Sequence, residues 1–205
     1  MQIQLTNTGK RYNRDWIFRH CDYTFSVGKS YAIIGANGSG KSTLLQTIAG
    51  SINQSEGKVF FSVNGQRLAS EDSYKYISLA APYLEVIEEM TATEFLHFHA
   101  AFKPLLPSIT IAEILTIIGL ENNADKQIRY YSSGMKQRIK LAQAIFSDTP
   151  ILLLDEPCTN LDAAGYQLYQ HLITTYCSHK LIIVSSNDLQ EYSFCNEQIA
   201  IGDYK

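Results

Sequence analysis

"IIGANGSGKSTLL", residues 33–45, places three glycines, a lysine and a run of hydroxyl side chains between two apolar segments. Glycine inside an ordered element costs roughly 0.5–1 kcal/mol of backbone entropy, so such a cluster marks a place where backbone must approach something closely. The stretch fits G-x-x-x-x-G-K-[ST] as Gly35, Gly40, Lys41 and Ser42. Before it, "YAIIG" reads as a buried strand, and after it "KSTLLQTIAG" reads as a helix closed by Gly50, which is the setting this pattern requires. Glycine dihedrals let successive N–H groups turn inward as an anion nest, and the following helix adds its positive end. Lys41 supplies a mobile charge for outer phosphates, and Ser42 a hydroxyl for Mg²⁺. The stretch reads as a phosphate cradle.

A second signal is "ILLLDEP", residues 151–157. Four apolar residues predict a buried strand, with two carboxylates at its C-terminal end, where open α/β sheets bind ligands. Asp155 is placed to hold Mg²⁺ and Glu156 to polarise an attacking water. A third signal, "YYSSGMKQRIKLAQAI", is a Ser-Ser-Gly turn running into a helix that begins near Gly134. A serine hydroxyl at a helix N-terminus is a second phosphate-seeking arrangement. One chain does not need two for a single nucleotide, so this one suits a neighbouring chain's nucleotide.

The rest of the chain is consistent with an α/β protein. "MQIQLTNTGKRY" alternates like a half-exposed strand, Val27-Gly28-Lys29 forms a turn between two strands, and "GKVFFSVNGQRL" predicts a hairpin turning at Asn64-Gly65. From about Thr91 to Ile145 the apolar spacing is helical, with a capping-box pattern at Thr91 and Glu94. "PILLLDE" and "KLIIVSS" return to buried strands around a helix near 163–177. Strand-rich ends enclosing helices predict an α/β core with an inserted helical lobe, the core at about 1–83 and 146–205, the lobe at about 84–145.

The 205 residues are 45% hydrophobic and 18% charged with a net charge of −3, which argues against a nucleic-acid coat. Four scattered cysteines without a CxxC pair predict reduced thiols in a cytosolic setting. The N-terminus lacks the apolar run of a signal peptide, and no segment reaches bilayer-spanning length.

With these motifs in this order, the chain resembles the ABC (ATP-binding cassette) ATPases over nearly all its length. The resemblance implies a P-loop NTPase fold, a RecA-like core with N-terminal antiparallel strands. "GANGSGKST" matches the Walker A loop, which implies that Gly35, Asn37, Gly38, Ser39, Gly40, Lys41, Ser42 and Thr43 hold ATP. "ILLLDEP" matches Walker B, with Ser42 and Asp155 on Mg²⁺ and Glu156 catalytic; "YSSGM" sits at the signature, and "NLD" at 160–162 looks like the D-loop with Asp162. Tyr12 stands where the family stacks an aromatic on adenine, with Trp16 and Phe18 competing for the role. The family mechanism packs two cassettes head to tail, so Ser132, Ser133, Gly134 and Met135 would contact the partner's ATP.

The chain departs from the pattern at three places. The glutamine expected before the helical lobe is missing: its position falls at Ala81 or Pro82 in "SLAAPYLEVIEEMT". The histidine expected after the last core strand is replaced in "SSND" by Asn187, which can hydrogen-bond the γ-phosphate but carries no positive charge. None of the five histidines lies nearby, and His97 and His99 read as helix-surface residues. In the signature, Ser133 and Met135 replace a glycine and a glutamine.

The implied function is ATP hydrolysis as the energising subunit of a transporter. Its partners would be a second cassette, the same or different, and a separate multi-span permease on the cytoplasmic face of a membrane. Hydrolysis is expected to be slow, and no appended regulatory domain is expected after "EQIAIGDYK". Two other readings remain open: a regulatory ATP-binding module with little hydrolysis, and a non-transport ABC ATPase. "APYLEVIEE", with Tyr83 and Leu84, is the expected docking stretch for the permease.

Overall fold

A computed structural model describes residues 1–205, apart from the side chain of Ser70. β1 (Gln2–Tyr12) and β2 (Asp15–Ser26) pair antiparallel, with Tyr12 opposite Asp15 across a tight turn. Ile3 and Leu5 of β1 are buried while Gln2, Gln4 and Thr6 are exposed, so the predicted alternation holds. β3 (Ser30–Ile34) follows the predicted turn and leads through residues 35–40 into α1 (Lys41–Ala49), closed by Gly50. β4 (Glu56–Val63) and β5 (Gln66–Arg67) form the predicted hairpin across Asn64-Gly65. Together β2-β1-β4-β5 make an antiparallel sheet.

β6 (Ile77–Ala80) precedes the helical segment, α2 (Ala92–Phe102), α3 (Ile111–Ile117) and α4 (Ser133–Ile145). The capping box at Thr91 and Glu94 is present in both directions, and Thr110 with Glu113 forms a second one. β7 (Ile151–Asp155), α5 (Ala163–Tyr176), β8 (Leu181–Ser185), α6 (Leu189–Tyr192) and β9 (Glu197–Ala200) complete the chain. The second sheet is wholly parallel, in the order β6-β7-β8-β3-β9.

α1 lies between the two sheets, touching β1 on one side and β3, β7 and β8 on the other. Leu44, Leu45 and Ile48 of α1 are fully buried there against Ile3, Leu5, Phe25 and Phe61 of the antiparallel sheet. On the opposite face of the parallel sheet, Ile139, Leu141, Ala142 and Ile145 of α4 join Leu152 and Leu154 of β7 in a second cluster with α5. Ile151, Leu152, Leu153 and Leu154 are each 0% exposed. Truncating any such leucine to alanine costs about 2–5 kcal/mol, so the end of β7 is a fixed platform for whatever follows it.

Register delivers the site. β8 is the middle strand, pairing Ser185 with Ile33 of β3 on one side and with Asp155 of β7 on the other. The glycine loop, the carboxylates and "SND" therefore leave the sheet at one level, at the C-terminal ends of its strands.

Candidate functional site

Backbone dihedrals shape the loop. Gly40 caps α1 at φ 106, a conformation in which an added Cβ would also overlap Ile17 Cγ2. At Gly35 a Cβ would lie 2.7 Å from Ser39 Oγ and 2.8 Å from Ile201 Cγ2. Both positions therefore need glycine, one for its dihedral and both for space. The first turn of α1 carries no acidic side chain and no side-chain cap, leaving its positive end open. Ser39 Oγ is buried with no hydrogen-bond partner. An orphaned buried hydroxyl of this kind costs about 1–3 kcal/mol, and a phosphate oxygen would satisfy it.

Lys41 is buried, and its Nζ donates to the carbonyls of Gly35 at 2.9 Å and Ala36 at 3.2 Å. The ammonium thus sits curled inside the loop it would serve. Ser42 Oγ donates to Asp155 Oδ1 at 3.1 Å, joining the first turn of α1 to the end of β7. Burial pushes the Asp155 carboxyl above the ordinary carboxylate range, opposed by the nearby Ser185 hydroxyl and by the hydrogen bond from Ser42; neighbouring Glu156 adds to the rise and Lys41 lowers it. A buried carboxylate left with this imbalance is suited to a cation.

Glu156 adopts φ 41, a left-handed conformation that costs a non-glycine residue about 1–2 kcal/mol. It is held by its N–H donating to the Ser185 carbonyl at 2.9 Å and by Thr159 donating to its own carbonyl through both N–H and Oγ1. Strain so restrained is a mark of functional positions. Asn187 is exposed, and its Nδ2 donates to Asn37 Oδ1 at 2.9 Å.

Ser132 caps α4 by accepting the Met135 N–H at 3.3 Å, and the helix starts at Ser133, one residue before its expected start. Ser132 and Ser133 are exposed, and among the described residues no hydrogen bond joins 132–135 to 35–43. The helix is instead fastened to the loop after Glu156: Gln137 Nε2 donates to the Pro157 carbonyl at 2.6 Å, and a Cβ on Gly134 would lie 3.2 Å from the Asn160 carbonyl. Asp162 caps α5 by accepting the Gly165 N–H at 2.8 Å. Glu191 completes the support, its Oε1 accepting the Cys158 N–H at 2.7 Å. Gln137 and Glu191 carry no local signal in the sequence; their partners lie far along the chain.

The three aromatic candidates differ in placement. Phe18 is fully buried in the core. Trp16 is flanked by the guanidinium groups of Arg11 and Arg19, at 5.5 and 4.4 Å from its ring. Tyr12 is 49% exposed at the hairpin end, with Lys10 Nζ 4.9 Å from its ring centre. Ala81 is buried, and the connector beyond it is tied to α4 by Lys140 Nζ donating to the Pro82 carbonyl at 3.3 Å and by the Glu88–Lys136 ion pair. One reading needs correcting: His97 is exposed as expected, but His99 is half-buried, and its Nε2 pairs with Ser147 Oγ at 2.8 Å.

A strand, a glycine loop capping a helix, and a carboxylate from the parallel strand one position removed in the same sheet on the helix's first hydroxyl together define a P-loop NTPase. The sequence pattern of the ABC transporter family matches residues 18–159. The uncharacterized ABC transporter ATP-binding protein YybJ of Bacillus subtilis is 32% identical over 80% of this chain and 74% of its own. The cytochrome c biogenesis ATP-binding export protein CcmA of Xylella fastidiosa is 34% identical, over 75% of this chain and 71% of its own. In fold, a putative ABC transporter ATP-binding protein of Pyrococcus furiosus superposes with a TM-score of 0.83 at 19% identity, covering 100% of both chains. The chain belongs to the ABC transporter family, as a single ATP-binding cassette and an ATPase.

Proposed function

We propose that this cassette energises a separate multi-span permease as one half of a two-cassette ATPase, with ATP between the phosphate loop of one copy and residues 132–135 of the other. The observation that carries this reading is a separation. The Ser42–Asp155 pair lies under the glycine loop, while Ser132 and Ser133 are exposed and unconnected to it. A phosphate-seeking helix end that does not bond its own loop suits a neighbour's nucleotide.

In this reading Tyr12 stacks on adenine, residues 35–43 surround the phosphates, and Lys41 leaves its loop carbonyls for the outer phosphates. Mg²⁺ would be held by Ser42 and Asp155. The remaining ligands would come from nucleotide and water. The ion supplies neutralisation of phosphate charge. Glu156 orients and polarises the attacking water, Asn187 contacts the γ-phosphate, and Asp162 lies toward the partner cassette.

Two identical copies form the simplest dimer; pairing with a different cassette is the other arrangement. Residues of about 84–145 act as the lobe that meets the permease. No helix of the described residues is long and apolar enough to cross a membrane; in this reading a separate permease supplies the spanning segments and the cassette sits on it at the cytoplasmic face. Exposed Ile87, in the expected docking stretch, supports that placement, as does the export-protein description of the Xylella relative.

The test is the mass of Glu156→Gln by light scattering with ATP and with ADP. A doubling with ATP alone supports the sandwich. A monomer in both, with ATP demonstrably bound, rejects self-pairing and leaves only a different cassette as partner.

A further inference from the structure

Glu191 is a buried carboxyl, 4% exposed, that no step of the proposed hydrolysis uses. It belongs to α6, the short helix after Asn187, and it reaches across to the loop after Glu156, where its Oε1 accepts the Cys158 N–H at 2.7 Å. The Cys158 carbonyl accepts the Leu161 N–H at 2.9 Å, so both backbone groups of this residue are engaged. On either side of it stand Glu156 at φ 41 and Asn160 at φ 66. Left-handed residues this close together persist only where their surroundings over-determine them, and the Glu191 carboxyl supplies a constraint from outside the loop. Packing alone would favour an apolar side chain at 191, because a carboxyl is costly to bury unless it is hydrogen-bonded.

A second tie runs beside the first. Tyr166 stands one turn of α5 after Asp162, and its hydroxyl donates to Asp188 Oδ2 at 2.9 Å. Asp188 Oδ1 accepts the Gln190 N–H, and the Asp188 N–H donates to Ser186 Oγ, each at 2.9 Å. The Ser186 N–H donates to the Ile33 carbonyl at 3.2 Å. Asn187 therefore lies between two pinned residues, Ser186 on β3 and Asp188 on α5. With the Glu156 N–H on the Ser185 carbonyl, the loops that carry Glu156 and Asn187 are joined through Ser185, Glu191 and Asp188. A tyrosine has only two side-chain torsions, so a hydrogen bond at its hydroxyl holds the whole side chain at low entropic cost.

We propose that Glu191 and Tyr166 are positioning residues for hydrolysis: they lock the loop carrying Glu156 to the loop carrying Asn187, so that the carboxylate and the amide meet one γ-phosphate and its attacking water together. The proposal rests on the reading that Glu156 polarises the water and Asn187 contacts the γ-phosphate. Neither Glu191 nor Tyr166 touches the nucleotide; each acts through the loop it holds. Phosphoryl transfer to water depends on positioning and charge stabilisation, and a displacement of about 1 Å at a reacting group can cost about 100-fold in rate. Affinity for ATP resides in the glycine loop and Tyr12, so the brace acts on kcat and not on binding.

The experiment measures steady-state phosphate release and ATP affinity of the full chain, and hydrogen–deuterium exchange of the nucleotide-free protein, for wild type and single variants. Glu191→Leu leaves the Cys158 N–H without its acceptor and is expected to lower kcat about 10–100-fold, with ATP affinity within about twofold of wild type and faster exchange across 156–162. Glu191→Gln keeps an oxygen acceptor and should bring kcat back to within about threefold of wild type. Tyr166→Phe removes only a hydroxyl from a half-buried side chain and should lower kcat about 3–10-fold with affinity unchanged; it carries the test by itself if Glu191→Leu does not fold. Tyr169→Phe is the control: its hydroxyl donates to the Glu191 carbonyl at 2.8 Å, so α6 loses a buried hydrogen bond while Cys158 and Asp188 stay held, and turnover should remain that of wild type. Wild-type kcat in Tyr166→Phe and Glu191→Leu, affinity that falls in step with kcat, or Glu191→Gln and Tyr169→Phe as slow as Glu191→Leu would each overturn the proposal, the last two being the marks of a merely structural role. Wild-type turnover in Glu156→Gln would instead overturn the reading of Glu156, a separate failure that appears without touching either positioning residue.

Discussion

The Asn187 amide donates to Asn37 Oδ1 at 2.9 Å, linking the loop after β8 to the outer rim of the phosphate loop. On the proposed reading, in which both residues face the γ-phosphate, the exchange of histidine for asparagine at 187 costs charge rather than position. Removing one transition-state donor elsewhere costs roughly 2.7–4 kcal/mol in rate, and an asparagine that keeps the hydrogen bond forfeits only part of that. Asn187→His should therefore raise turnover by about tenfold with KM little changed, as measured by steady-state phosphate release. Unaltered turnover in a verified dimer would place the limitation elsewhere.

Asp155 trades stability for binding. Its carboxyl titrates above the ordinary range because burial penalises the charged form. With a folded-state pKa above the unfolded one, ionising Asp155 destabilises the nucleotide-free protein as pH rises through that folded value, and at lower pH the penalty vanishes. Asp155→Asn should therefore melt higher than wild type at pH 8 without nucleotide, by about 2–4 °C for each kcal/mol relieved, with the gap closing toward acid. The same variant should lose the melting-temperature rise that MgATP gives the wild type. Calorimetric scans across pH check both, and a variant less stable at pH 8 would contradict the account.

Local periodicity and turn chemistry made much of this molecule legible. The glycine loop between β3 and α1, the Asn64-Gly65 hairpin and the Thr91–Glu94 cap each depend on residues a few positions apart. The same capping pattern at Thr110 and Glu113 was equally available in "TIAEIL". What the chain does not announce are contacts made by folding. His99 looks like a surface residue until Ser147 arrives beside it from the end of α4. Gln137 on Pro157 and Glu191 on Cys158 join segments whose spacing in sequence carries no period. The choice among Tyr12, Trp16 and Phe18 was likewise open in one dimension, and burial of Phe18 and the two arginines on Trp16 separate them in three.

The most direct test is steady-state MgATP turnover of the purified chain over a wide range of protein concentration, beside Glu156→Gln. Specific activity that climbs with concentration and disappears in the variant is the predicted result, because each site needs residues 132–135 of a second copy and the Glu156 carboxylate. Activity that is independent of concentration, or that survives in Glu156→Gln, would contradict a site shared between two cassettes with Glu156 polarising the water.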